Sequence, residues 1–175
     1  LVLELEDNDA ILTWEAPTGE AVETYNIYRS STPDGFNFDI PLASTSSLTY
    51  TDPNILINKY YVVRAEDAVG NEETNANVVG KNFLFLEQGI NLISFPLILF
   101  DNDIEEVTEI HTGFQPITEI TRFENDNFET AVYDGNNWIG FADLENDRGY
   151  FFTVSEDYDF AIAGKVPVEE RTIHL

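Results

Sequence analysis

The chain has 175 residues, of which 43% are hydrophobic and 13% aromatic, which is enough apolar material to form domain cores and to exclude disorder. Its 33 acidic residues against 8 basic ones give a formal charge of -25, which argues against binding to nucleic acid or to anionic membranes. The absence of cysteine excludes disulfides and thiolate zinc sites. The acid excess fits an extracellular, calcium-bearing medium, and a halophilic source is an alternative.

No apolar run reaches the ~18 residues of a membrane span. The longest, residues 92–100, is interrupted by Ser94 and Pro96, and we expect it to form a buried strand. Methionine is absent, at position 1 included, which favours a processed form or a fragment of a longer array.

In residues 1–80, alternating apolar residues separated by turn residues predict short strands. We expect strands at residues 1–6, 10–16, 24–30, 47–52, 59–69 and 74–79, with an irregular or edge segment at 36–44. In the strand that begins at Lys59, Tyr61, Val63 and Ala65 alternate with partly charged positions. This alternation predicts a half-buried strand, and the spacing of the turns predicts a β-sandwich.

This half resembles a fibronectin type III domain over about residues 1–80. The resemblance rests on residues at consistent spacing, namely Trp14, Tyr25, Ile27, Tyr61, Val63, Ala65, Asp67 and Gly70. It implies that Tyr61 takes the place of the family's tyrosine corner, whose hydroxyl caps an upstream backbone group. It also implies that Trp14 and Tyr61 are core residues and that the domain is a spacer or interaction scaffold.

From Lys81 onward we expect a second, mainly β domain with one short helix. Strands are predicted at residues 82–87, 90–99, 117–123, 128–133, 138–141, 150–155 and 157–164, with an extended segment at 166–175. The helix is predicted near residues 101–112, because Asp101 or Asp103 provides an N-cap and two glutamates follow in the first turn.

The second half resembles a small β module of secreted bacterial and archaeal proteins over about residues 82–165. That module is marked by a Gly-Trp-Asn-Leu-Ile-Ser-Leu-Pro strand, and the strand here is Gly89–Pro96, with Ile90 in place of Trp. Trp138 after a Gly-Asn turn and the Gly149–Phe151 tripeptide add to the resemblance. It implies a location at the cell surface more than an activity.

Both ends of the chain have the pattern of strands that can pair with another chain. Arg171–Leu175 resembles Asn82–Leu86, the opening strand of the same module, and in a tandem array it would lead into a next copy. We therefore predict self-association through terminal strands. The residues concerned are Leu1, Leu3 and Leu5 at one end and Thr172, Ile173 and Leu175 at the other.

Nothing in the sequence favours a catalytic site, and we expect no enzyme. His111 and His174 are the two histidines, and Ser94 is not in a nucleophile elbow. No glycine-rich phosphate loop is present. Two small β modules also leave little room for the aromatic-lined cleft of a glycoside hydrolase.

Calcium is the small ligand that we expect, and otherwise no cofactor. Acidic clusters in predicted turns offer hard oxygen ligands, although none has EF-hand spacing, and solvated turns are the alternative. The candidate ligands are Asp7, Asp9, Asp101, Asp103, Asp126, Asp157 and Asp159.

We therefore predict an all-β chain with a fibronectin type III sandwich at residues 1–80 and a small, mainly β domain at 81–175. The predicted function is a non-catalytic extracellular structural or adhesion module, a building block of a cell-surface layer or filament, partnered by itself or neighbouring modules. The alternative is an accessory region of a secreted hydrolase that binds polysaccharide through aromatics such as Trp138 and Tyr158, although a core position is favoured for Trp138. No nucleic-acid partner and no membrane insertion are expected.

Overall fold

The computed structural model of the chain describes residues 1–6, 8–19, 21–108 and 115–168. In these residues the protein is all-β, with fourteen strands and one short helix, which confirms the predicted fold class. The chain divides into two compact units. Unit 1 comprises Leu1–Asn82 with Ala163–Val166, and unit 2 comprises Phe83–Ile162 with Pro167–Leu175. The domain limits predicted from the sequence, 1–80 and 81–175, stay a prediction.

Unit 1 contains two antiparallel sheets. Its strands are β1 (Val2–Glu6), β2 (Asp9–Thr13), β3 (Thr24–Ser30), β4 (Ala43–Thr45), β5 (Thr49–Asp52), β6 (Lys59–Glu66), the first half of β7 (Val79–Leu86) and the end of β14 (Tyr158–Lys165). One sheet has the order β1-β2-β5, and in the other the order is β4-β3-β6-β7. The predicted turn after β6 is confirmed, because Gly70 adopts a φ of 87° and the Asp67 carboxylate accepts from the Asn71 amide.

The core of unit 1 is built from inward side chains of both sheets. Leu12 of the first sheet and Ile27 and Tyr61 of the second are fully buried. Trp14, directly after β2, meets Tyr25 of β3 edge to face, with ring centroids 5.5 Å apart. The prediction that Trp14 and Tyr61 are core residues is therefore confirmed.

The Tyr61 hydroxyl makes a different contact from the one that the family resemblance implies. It donates to Oδ2 of Asp52, 2.8 Å away, instead of capping a backbone group. Arg29 Nη1 donates to the two oxygens of the same carboxylate at 3.0 and 2.8 Å. Asp52 is only 4% exposed, and a buried carboxylate needs such partners. Burial, together with the hydrogen bond to Asp52, raises the pKa of Tyr61.

The predicted half-buried pattern of β6 is wrong, because both of its faces are covered. Val62 is as fully buried as Tyr61, and only 13% of the Arg64 side chain is exposed. The segment between β3 and β4 covers this face, and the guanidinium carbon of Arg64 lies 3.3 Å from the centroid of the Phe38 ring. Arg64 also forms an ion pair with Glu72 at 3.4 Å. The cation is thus held by an aromatic ring and a carboxylate.

The strand that leaves unit 1 is longer than predicted. The sequence predicts two strands, at 74–79 and 82–87, but β7 runs unbroken from Val79 to Leu86. Residues 74–78 form no strand because a side chain there takes up the backbone hydrogen bonds. Asn75 Nδ2 donates to the Val63 carbonyl at 2.7 Å, and Asn75 Oδ1 accepts from the Asn77 amide at 2.8 Å.

Unit 2 contains a five-stranded antiparallel sheet and a second group of strands. Its strands are the second half of β7, β8 (Gly89–Ser94), β9 (Ile98–Leu99), β10 (Ile117–Glu124), β11 (Asn127–Tyr133), β12 (Trp138–Ile139), β13 (Gly149–Val154) and most of β14 (Tyr158–Lys165). The five-stranded sheet has the order β12-β11-β10-β13-β8, and in the second group β14 lies between β7 and β9.

The predicted helix is present in part as α1 (Ile104–Thr108). Asp103 is its N-cap, because Oδ1 accepts from the Glu105 amide at 2.8 Å. Residues 109–112 of the predicted helix lie outside the described residues. No helix in the described parts of the chain has the length and hydropathy of a membrane span.

An aromatic core lies against the inner side of the five-stranded sheet. Tyr150 and Phe152 of β13 are fully buried, and the Phe95 ring lies 5.9 Å from the Tyr150 ring. Phe160 of β14 lies 5.8 Å from Phe152. This core occupies one side of the sheet, so the residues that alternate with it point to the other side.

Candidate interaction surface

The five-stranded sheet of unit 2 presents an apolar surface on its outer side. Phe151 lies between the buried residues Tyr150 and Phe152, and it pairs in register with Leu92 of β8. We call this surface the apolar face. It comprises Ile90, Leu92, Phe123, Phe128, Val132, Ile139 and Phe151.

Every side chain of the apolar face is at least 38% exposed, and Phe128 and Ile90 reach 68% and 74%. At about 150–200 Å² for each fully exposed large side chain, these fractions amount to roughly 600–750 Å². The largest apolar patch on a typical monomer is about 300–600 Å². The apolar face therefore has the size of a contact site.

Charged side chains are nearly absent from the apolar face. Glu119 is the one charged residue of the five described strands that lies on this side. Arg122 and Glu129 form the register pair next to Phe123 and Phe128, and they lie on the opposite side. Between the apolar residues, Thr121 and Thr130 share a hydrogen bond of 2.8 Å between their hydroxyl groups. Thr121 Oγ1 also lies 3.4 Å from Glu119 Oε1, so this single carboxylate lies beside the threonine pair, and the other side chains of the face are uncharged.

A groove of about 360 Å³ runs through the apolar face. It is lined by Leu92, Phe123, Phe128, Gly149 and Phe151. The rings of Phe123 and Phe128 meet edge to face, with centroids 5.2 Å apart. None of the lining side chains is polar, so the groove accepts an apolar group and has little with which to orient a polar ligand.

A tight hairpin turn places the two phenylalanines side by side. Asn125 and Asp126 connect β10 to β11, with φ of 49° and 63°. Positive φ at both central residues is the feature of a two-residue type I′ turn, and Asn and Asp tolerate it. Phe123 and Phe128 face each other one register position inside the closing pair of this hairpin. Asp126, a predicted calcium ligand, is therefore a turn residue.

The charged groups of this hairpin pair with each other on the opposite side of the sheet. Arg122 Nη2 lies 3.0 Å from Glu129 and 3.1 Å from Glu124, and its guanidinium carbon lies 4.3 Å from the centroid of the Phe141 ring. Arg148 Nη2 adds a contact of 3.0 Å with Glu124. These ion pairs hold the hairpin in place and keep its charges away from the apolar face.

A second group of polar and ionisable side chains lies in unit 1, on the side of the paired strands β3 and β6 that carries Arg64. Asn26 Nδ2 donates to Glu66 at 2.7 Å and to Glu72 at 2.8 Å, and the Tyr28 hydroxyl also donates to Glu72. Burial, followed by the hydrogen bond to Glu72, raises the pKa of Tyr28. A phenol that is held neutral in this way is a poor base or nucleophile.

The predicted calcium ligands are dispersed, and several cap turns. Carboxylate oxygens of Asp9, Asp101 and Asp157 accept backbone amide hydrogens at 3.0, 2.9 and 2.9 Å. Asp159 lies in β14, and Asp7 lies outside the described residues. Where the structure describes the chain, no group of three or more His, Asp or Glu side chains is placed to hold a metal ion. Calcium binding stays a prediction.

The predicted self-association residues of the N-terminus point inward. Leu3 is 1% exposed and belongs to the core, while Leu1 and Leu5 are half-buried. What β1 offers a partner is its backbone, because it is an edge strand of the β1-β2-β5 sheet. The predicted residues of the other terminus, outside the described part, are Thr172, Ile173 and Leu175.

The aromatics considered for sugar stacking are half-buried. Trp138 Nε1 donates to Thr108 Oγ1 at 2.9 Å, and its ring lies 5.6 Å from that of Tyr133. Tyr158 lies beside Phe160, with ring centroids 6.3 Å apart. Trp138 therefore has its indole N–H already paired. The two histidines both lie outside the described residues.

The sequence does not predict the apolar face. It predicts that residues 92–100 form a buried strand, which is wrong, because Leu92 is 57% exposed. The available signal was the position of Phe123 and Phe128, which flank the turn at equal distances and must share one side of the hairpin. Scans of the chain against protein-family models, curated proteins and solved structures found no match.

Proposed function

We propose that the chain is a non-catalytic structural or adhesion module of the cell surface that works by making contacts, as a building block of a layer or filament. The apolar face is the observation on which this proposal depends. An apolar surface of roughly 600–750 Å² on a chain of charge -25 is costly to leave in water, so it favours a role in contact.

The chemistry of the described residues supports a module without catalysis. The ionisable groups of unit 1 that approach each other, such as Asp52 with Arg29 and Glu72 with Arg64, are paired with one another. The groove of the apolar face is lined by apolar residues and offers no acid, base or nucleophile.

The extracellular location and the family resemblances remain part of this proposal. Unit 1 supports the fibronectin type III resemblance with its two antiparallel sheets and with Tyr61 in the core between them. Pairing through terminal strands also remains proposed, and the edge position of β1 supports it.

The test is a native-mass measurement on the full chain, at low and high salt and with and without calcium, beside chromatography on a polysaccharide affinity gel. If the proposal is correct, we expect light scattering to detect oligomers or polymers, and we expect the gel not to retain the chain. A monomer that the gel retains would instead support the accessory polysaccharide-binding alternative. A variant lacking residues 171–175 tests the terminal-strand contact, and unchanged assembly would argue against it.

A further inference from the structure

We propose that the apolar face docks against the apolar face of a second copy of this chain. This inference rests on the proposed function, because it names the surface through which a contact module would contact itself. The face is not an edge of a sheet, so this contact packs sheet against sheet and differs from pairing through terminal strands.

The size of the face matches what a stable dimer requires. A standard interface takes about 800 Å² from each partner. The seven apolar side chains supply roughly 600–750 Å², and the threonines between them enlarge the surface further. Two such faces in contact therefore reach the size of a specific interface with no contribution from the rest of the chain.

The charge distribution selects a second copy over a charged partner. Glu119 is the one charged side chain of the described strands on this side, so two identical faces meet mainly through apolar groups, with one carboxylate from each copy to be kept apart. A cationic partner would contact a single carboxylate on the face and would gain little electrostatic binding free energy. The remaining charge of the chain opposes association at long range, and salt screens that repulsion.

The face has both a projecting aromatic ring and an apolar groove. Phe128 projects from the sheet, 68% exposed, beside a groove of about 360 Å³ that it lines together with Leu92 and Phe151. A two-fold interface presents the same patch twice, so a projecting ring of one copy can enter the apolar depression of the other. Each substitution then changes the interface at two places.

The test compares Phe128→Asp and Leu92→Asp with Leu56→Asp, by sedimentation of the full chain across concentration and salt. Leu56 is 64% exposed in unit 1, so its variant carries the same added charge away from the face. Circular dichroism checks that each variant is folded. The wild type should dimerise, and more tightly by about tenfold or more as sodium chloride rises from about 0.05 to about 1 M. Each face variant should weaken dimerisation by roughly 100-fold or more, and Leu56→Asp should not.

Several outcomes would overturn the inference. These are a monomer at every salt concentration, a dimer that salt weakens, and a dimer that Phe128→Asp and Leu92→Asp leave unchanged. Assembly that is lost on deletion of residues 171–175 but kept in both face variants would reject the face contact and leave the proposed function standing. A monomer that the polysaccharide gel retains would reject the proposed function itself.

Discussion

Replacing Tyr61 with phenylalanine removes one hydrogen bond from a buried charge and leaves the ring in place. The hydroxyl donates to Asp52 at 2.8 Å, and that carboxylate is 4% exposed. A hydrogen bond to a charged group contributes about 1.5–3 kcal/mol. Because Arg29 still reaches both carboxylate oxygens, we expect the free energy of unfolding of unit 1 to fall by about 2 kcal/mol.

The assay is urea unfolding followed by the fluorescence of Trp14 in a Trp138→Phe background, since the chain has 2 tryptophans and Trp14 then reports on unit 1 alone. With a denaturant slope of about 1–3 kcal/mol/M, the midpoint should fall by about 1 M. Tyr50→Phe is the matched control, because Tyr50 lies near Asp52 but its hydroxyl has no hydrogen-bond partner among the described residues. A Tyr61→Phe shift no larger than the control's would refute the reasoning.

Three further predictions concern backbone strain and titration. Gly140→Ala should destabilise unit 2 by about 2 kcal/mol or more, since Gly140 has a φ of 144° and an added Cβ would lie 2.5 Å from the Thr130 carbonyl oxygen; Gly135→Ala, with open space at its Cβ, should cost less in the same thermal melts, and equal costs would contradict the clash. Burial raises the pKa of Tyr28 and Tyr61, so their contribution to the free energy of unfolding is full below about pH 10 and is lost as pH rises further; because the chain has 8 tyrosines, absorbance titrations of Tyr28→Phe and Tyr61→Phe are compared with the wild type, and loss of a group that ionises near pH 10 in the folded state would count against this. Backbone amides lower the pKa of Asp134, so its contribution to the free energy of unfolding is present above about pH 4 and is lost as pH falls. A titration midpoint of the Asp134 carboxyl at or above about 3.9, measured by NMR, would contradict this prediction.

The strands with strong turn signals at both ends were predictable from sequence. β3 has the predicted bounds, and β11 begins one residue before its predicted start. In both, apolar residues alternate and Asn, Asp or Gly residues stand nearby, so local chemistry fixes the ends. The absence of a strand at residues 74–78 was not predictable in this way, because it depends on where the Asn75 side chain makes its hydrogen bonds.

The apolar face shows that hydrophobic periodicity does not always tell which side of a strand is buried. β8 is apolar at Ile90, Leu92 and Ile93, and a run of this kind is equally compatible with a strand buried on both sides. Which side stays exposed depends on where the aromatic core around Phe95 and Phe152 lies, and that is a tertiary property. The prediction that β6 is only half-buried was wrong for the converse reason, because a segment distant in the sequence covers Arg64.

The pairing of the arginines has a consequence for the medium around the molecule. Arg29, Arg64, Arg122 and Arg148 all contact carboxylates, so these cations neutralise acid locally and leave most of the 33 acidic side chains uncompensated. Where such chains lie within a Debye length of each other, about 10 Å at 0.1 M salt, their counterion clouds overlap. The space between them then acts as a cation exchanger. It is more acidic than the bulk and enriches divalent over monovalent ions through valence alone, without a coordination site.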